Sequence, residues 1–111
     1  MTKNEMNNMN ELIGKIRLWG EQRYITGPEG RATADTQFEK LMEEVDEIRD
    51  GLQSGIQEAV VDGIGDTAVV LILLAELIGV PFEDCLQSAY NVIKNRTGRI
   101  IDGQFVKDSN R

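Results

Sequence analysis

The sequence contains no histidine. That absence excludes Ser-His-Asp and Cys-His catalysis, zinc sites built on imidazole, and the Glu-x-x-His pairs of di-iron bundles. There is one cysteine, Cys85, which rules out an internal disulfide and fits a reducing compartment. Long apolar runs are missing too. The most apolar stretch, Thr67 to Val80, is interrupted by Glu76 and falls short of the roughly 20 residues that span a bilayer. Positive charge is scarce: nineteen acids face twelve bases, for a net charge of −7. An acidic chain without a basic arm is a poor ligand for duplex DNA, where phosphate neutralisation dominates affinity, but it suits a binder of cations. Met1 to Asn10 is polar and rich in Asn, unlike a signal peptide. The expectation is a cytoplasmic protein with neither a membrane nor a nucleic acid polymer as partner.

What is present reads as one globular domain over residues 1–111, with 41% hydrophobic and 28% charged residues. Residues 1–5 are expected to be flexible. Met9, Leu12, Ile13, Ile16 and Trp19 recur at helical spacing and predict a first helix from Glu5 to Gln22. Gly27, Pro28 and Gly30 mark a loop. Thr36, with Glu39 three residues on, has the form of a capping box for a second helix. Phe38, Leu41, Met42, Val45, Ile48 and Leu52 supply its apolar face, and Gly51 and Gly55 its end. A third helix runs from Ile56 to Ile78 and closes at Gly79. Pro81 suits the first position of a fourth helix, whose inner face is Phe82, Leu86, Ala89, Tyr90 and Ile93 and whose end is Gly98. Arg99 to Val106 then reads as two short strands around Asp102-Gly103. The fold class is all-α: a four-helix bundle with a short C-terminal hairpin or tail over residues 99–111.

On a wheel of about 100° per residue, Gln37, Lys40, Glu44 and Glu47 form one polar stripe beside the second helix's apolar face. Glu39, Glu43, Asp46 and Asp50 form another, which reads as a solvated face. The third helix is apolar in nearly every direction, the pattern of a buried helix. Asp62 and Asp66 nevertheless share one side of it, with Glu58 adjoining. Buried carboxylates one turn apart require positive charge. Two sources are open: an ion pair with Lys40, Lys94 or Arg96, or a divalent metal shared with Glu44 and Glu47. Four carboxylates exceed what one lysine neutralises, and hard oxygen ligands suit Mg²⁺ or Mn²⁺. Gly63 and Gly65 each cost about 1 kcal/mol inside a helix and point to close packing of another backbone. A helix apolar all round in so small a bundle leaves a patch that calls for a second copy, so a homodimer or homotetramer is expected, with its sites near the subunit boundary.

Gln37-Phe38-Glu39-Lys40-Leu41-Met42-Glu43-Glu44-Val45-Asp46-Glu47-Ile48 resembles the first motif of the MazG-like nucleoside triphosphate pyrophosphohydrolases, of the all-α NTP pyrophosphatase superfamily. Asp62-Gly63-Ile64-Gly65-Asp66 and its apolar sequel resemble their second. Trp19 with Arg23, and the tail from Tyr90 through Arg99 to Lys107, are similar to small single-domain phage and bacterial members. The family's pattern is Glu-x-x-Glu followed by Glu-x-x-Asp. Gly63 stands where the second Glu is expected, and Asp62, on Asp66's face, is the natural substitute, with Glu58 the other candidate.

The resemblance implies Mg²⁺-dependent cleavage between the α and β phosphates, giving a monophosphate and pyrophosphate. Glu44, Glu47, Asp62 and Asp66 would hold metal, and Glu44 or Glu47 would orient or deprotonate the water. Lys40, Lys94 and Arg96 would bind phosphate, with Asn95 or Asn91 near sugar or base. Trp19 would stack on the base or pack in the core, and Tyr90 carries the same two readings. Gln37 shares the working stripe, and Cys85 reads as a packing residue. Two alternatives stand beside this: a dUTPase- or dCTPase-like pyrimidine specificity, and a non-catalytic dimerisation module whose acids are ion-paired.

Overall fold

The first helix starts from a threonine. In the computed structural model, which describes residues 1–108, Thr2 accepts a hydrogen bond from the Glu5 backbone N–H at 3.1 Å. It thereby satisfies a donor that every helix start leaves unpaired. Helix α1 spans Lys3–Gln22, so it reaches into the segment expected to be flexible. Helix α2 spans Ala34–Ser54, α3 Gln57–Leu77 and α4 Phe82–Ile93. Strands β1, Gly98–Ile101, and β2, Gln104–Lys107, pair antiparallel with Ile100 opposite Phe105 and Arg99 opposite Val106. The four helices and terminal hairpin match the expected class. Residues 109–111 of the expected tail lie outside the described residues.

Local chemistry shifts several boundaries. The α2 cap is Thr33, one turn before the expected Thr36. Thr33 Oγ1 accepts from the Thr36 N–H at 3.1 Å, and Thr36 Oγ1 accepts from the Thr33 N–H at 2.9 Å. A hydroxyl accepts that second bond as well as the glutamate of the usual box does. Gly55 ends α2 at φ 68°, but Gly51 lies buried inside the helix. A Cβ on Gly51 would stand 3.1 Å from Val60 Cγ2 and 3.2 Å from Val60 N, so its role is close passage of α3. Gly98 does not end α4, which stops at Ile93; it opens β1 instead. Pro81 occupies the cap rather than the first helical position. Asp102 and Gly103, at φ 52° and 80°, form the left-handed pair that a tight hairpin requires.

Helix α3 is the organising element, and α2, α1 and α4 all pack on it, α2 most extensively. The fully buried apolar core is small: Ile13 from α1 with Val70, Ile72, Leu73 and Ala75 from α3. One guanidinium ties three helices together. Arg17 of α1 pairs through Nε with Glu76 of α3 at 2.7 Å and through a second nitrogen with Glu83 of α4. Glu76, the interruption in the apolar run, is therefore an ion-pair partner.

Helix α3 is not buried all round. Val61 and Ile64 are 58% and 57% exposed, because its neighbours in one chain cover only part of its circumference. The expected inner faces of α2 (Phe38, Met42, Val45, Leu52) and α4 (Leu86, Tyr90, Ile93) are exposed as well. The chain's accessible surface is 8582 Å², against roughly 6,100 Å² for a compact chain of this mass. Its radius of gyration is 16.5 Å, against about 13 Å. Among the described residues, no single helix is long and apolar enough to cross a membrane.

Candidate metal and nucleotide site

The stripe of α2 that faces α3 is polar. Gln37, Glu44 and Gly51 are its buried residues. They recur every seventh position, close to two helical turns, with Leu41 and Ile48 half-buried beside them. Gln37 is held by α3: its Nε2 donates to the Val70 carbonyl at 3.3 Å. Gly63 fits α3 against Ile48, whose Cγ1 would lie 2.7 Å from a Cβ placed there. Gly65 has nothing within 4 Å of such a Cβ, so close packing accounts for one of the two glycines.

Glu44 is 6% exposed. Its Oε1 lies 3.5 Å from Lys40 Nζ, but that ammonium is shared with Glu43 at 3.3 Å. Its Oε2 has no hydrogen-bond partner. A desolvated carboxylate oxygen with no donor costs free energy unless a cation meets it. Glu47, one turn along α2, and Asp66, across on α3, each bring a carboxylate oxygen within 4.8 Å of Glu44 and of each other. The Glu47 carboxyl is held above its ordinary value of 4.5, first because it lies close enough to Glu44 to share a proton, then through Glu44's charge, burial and Asp66, with Lys40 opposing. Lys40 is raised by Glu43 and then Glu44. Three carboxylates around one divided ammonium, one of them buried with an orphaned oxygen, are a donor set that fits Mg²⁺ or Mn²⁺.

Beside this triad lies a cavity of about 470 Å³. It is lined by the polar side chains of Gln37, Lys40, Glu44 and Asp66 together with Trp19, Ile25, Val69, Val70 and Leu73. Trp19 is 42% exposed, and the Arg23 guanidinium stands 5.8 Å from its ring centre. Phosphate can approach such a cluster of acids only in the company of a cation.

Five expected site residues therefore meet: Trp19, Gln37, Lys40, Glu44 and Asp66 line one cavity. Glu47 joins through the triad. Asp62 does not. It lines a shallower hollow with Glu47, Asp50 and Asp66 and lies outside the triad. Glu58 lines neither hollow. The expectation that Asp62 and Asp66 are buried is corrected: both are exposed, and the buried carboxylate is Glu44. Among the described residues no ion pair reaches Asp62 or Asp66, and Lys40 pairs with Glu43 and Glu44 instead. Lys94, Asn95 and Arg96 are absent from the cavity lining; Asn95 and Arg96 border a hollow with Lys107 at the base of the hairpin. Tyr90 lines a groove with residues of α1, and Cys85 is exposed rather than packed. Ile25 and Ala32, from the loop after α1, complete the cavity. Sequence reading missed them, since a Gly/Pro loop carries no periodic signal.

No family model matches the chain, and no solved structure matches it. It is 35% identical over 71 residues to an uncharacterized 18.2 kDa protein in the rep-hol intergenic region of Haemophilus phage HP1. The match covers 64% of this chain and 42% of that protein, so the chain spans less than half of that relative's length.

Proposed function

We propose that the chain hydrolyses nucleoside or deoxynucleoside triphosphates to a monophosphate and pyrophosphate with Mg²⁺, as its likeness to the MazG-like pyrophosphohydrolases implies. The observation that carries this reading is the buried Glu44 carboxylate, its Oε2 unpartnered, in a cavity that Trp19 and Asp66 also line. Mg²⁺, or Mn²⁺ in its stead, when bound would supply the positive charge that lets phosphate oxygens approach three acids, and would polarise the attacking water. Glu44, Glu47 and Asp66 would hold it. Glu47, exposed and raised by its neighbours, would be the proton acceptor for the water. Lys40, 54% exposed at its side chain, would turn from Glu43 to a phosphate. Trp19 would stack on the base. Gln37, held to the Val70 carbonyl, would fix the seam rather than select a substrate.

Self-association belongs to this reading. The uncovered Phe38, Met42 and Val45 lie on the helix that bears Glu44 and Glu47, so a second copy on that stripe would border the site and exclude water from it. A homodimer or homotetramer acting on free nucleotides in the cytoplasm is the proposed working form. The test is incubation with each common NTP and dNTP plus Mg²⁺, with products identified. Release of pyrophosphate and a monophosphate, abolished by a chelator, is the expected result. Release of inorganic phosphate alone would overturn it in favour of cleavage at a different phosphate bond, and no turnover on any nucleotide would overturn it in favour of the non-catalytic dimerisation module.

A further inference from the structure

Among the described residues, the C-terminal hairpin packs only sparsely on the helices. Every residue of β1 and β2 is exposed, and neither strand packs substantially on a helix. An isolated two-stranded hairpin is marginal in water. This one nonetheless carries an apolar cross-strand pair, Ile100 against Phe105, 67% and 52% exposed. The hairpin also differs from the rest of the chain in charge. Residues 94–107 hold four basic side chains and one acidic, whereas residues 1–93 hold seven basic and seventeen acidic.

A complementary surface lies on α1 and α4. Helix α4 buries none of its residues. Between it and α1 runs a groove of about 490 Å³, lined by Met6, Met9, Leu86 and Tyr90 together with Glu83 and Asp84. Flexible methionines suit a surface that receives a partner. Glu83 is already paired with Arg17, which leaves Asp84 as the acid facing outward.

We propose that the hairpin is an exchange arm: Ile100 and Phe105 of one copy seat in the α1–α4 groove of a second copy, with Arg99 or Lys107 against Asp84, and the reverse contact forms by two-fold symmetry. An isologous two-fold pairing would bury both the hairpin and the groove of each copy at once. The chain's accessible surface of 8582 Å² exceeds that of a compact chain by roughly 2,400 Å². That is ample for an interface that takes about 800 Å² from each partner. This inference stands apart from the hydrolytic reading and uses none of its site residues.

Equal amounts of ¹⁴N- and ¹⁵N-labelled chain, mixed and treated with a zero-length carbodiimide, test it. The expected product is a mixed-isotope peptide pair joining Lys107 to Asp84. In parallel, the doubly substituted chain Ile100→Asp/Phe105→Asp is expected to keep its helical circular dichroism, since the hairpin supports no helix, and to lose half of its assembly mass by light scattering. Arg99→Glu/Lys107→Glu is expected to weaken association at least tenfold, and Asp84→Arg to restore much of the loss. A wild-type chain that stays at 12.4 kDa, links found only within single isotopes, or a hairpin variant with unchanged assembly mass would each overturn the proposal; a monomer with an ordered hairpin would assign the arm to a different partner.

Discussion

Two stripes of α2 contradict the usual division of an amphipathic helix. The stripe against α3 buries Gln37 and Glu44, while the neighbouring stripe exposes Phe38 and Met42 at 54% and 48%. Burying a carboxylate while leaving a phenylalanine in water costs free energy on both counts in an isolated chain. The proposed function gives each stripe a reason: a cation would meet the inner one, and a second protein surface would cover the outer one. Local stability was not the criterion that placed these residues, which is the pattern expected of a functional site.

The largest effects come from breaking the inner stripe. Glu44→Gln, Glu47→Gln and Asp66→Asn should each lower Mg²⁺-dependent turnover by at least about 100-fold, the upper end of what even supporting residues of metal sites show. Asp62→Asn, outside the triad, should change turnover less than about twofold, since surface changes away from a site act weakly. The same assay checks all four. Equal losses from Asp62→Asn and Asp66→Asn would restore Asp62 as a ligand and refute the three-acid site. Glu44→Leu sharpens the point by separating function from stability. It removes a buried charge with an orphaned oxygen and should raise the urea-unfolding free energy by about 1–4 kcal/mol while abolishing turnover.

Much of this was legible in the sequence, and the losses have a common cause. Periodicity identified all four helices, and the Asp102-Gly103 turn marked the hairpin, because each signal is local. Spacing puts Glu44 and Glu47 on one stripe and Asp62 with Asp66 on another; it does not separate the two aspartates, of which the structure brings only Asp66 together with both glutamates. The burial pattern was not. Phe38, Met42, Val45 and Leu52 were assigned inward because apolar side chains normally face the core, but one chain has too few helices to cover them. Asp62 and Asp66 were assigned to the interior because α3 is apolar all round, yet only its buried residues Gly63, Val70, Ile72, Leu73 and Ala75 face its neighbours closely enough to exclude solvent. A sequence records every surface that becomes covered, including those covered by other molecules.

The two glycines of α3 make a smaller comparison within the same seam. Gly63→Ala places a Cβ 2.7 Å from Ile48 Cγ1, and overpacking of this kind costs about 1–3 kcal/mol. Gly65→Ala meets nothing within 4 Å and should stabilise by about 0.5–1 kcal/mol through helix propensity. Chemical denaturation of the two variants should therefore move in opposite directions. If both move alike, the α2–α3 seam is not as close as Ile48 and Gly63 indicate. Crowding at Gly63 also means that any longer side chain there would have to displace Ile48 or α2.

The smallest effect links the triad to pH. Glu47 titrates above 4.5 in the folded chain, principally because Glu44 lies beside it. Between the ordinary glutamate value and the raised one, the folded chain holds more proton than the unfolded chain. Stability from this group is then full below the unfolded pKa and is lost as pH rises through the folded pKa. The metal-free chain should show this as a fall in Tm as pH rises above 4.5, read as the difference from Glu47→Gln, which lacks the titrating group. At pH 7, 10 mM Mg²⁺ should raise the wild-type Tm by on the order of 5 °C, and at pH 4 by less, because a protonated Glu47 no longer attracts it. A lysine could also neutralise such acids, but Lys40 is present at both pH values and is already divided between Glu43 and Glu44. An Mg²⁺ shift that is equal at both pH values, or equal in Glu47→Gln, would therefore mean that the ion acts on the chain's general negative charge. A shift confined to neutral pH and to the intact triad would locate it where the inner stripe of α2 leaves an oxygen without a partner.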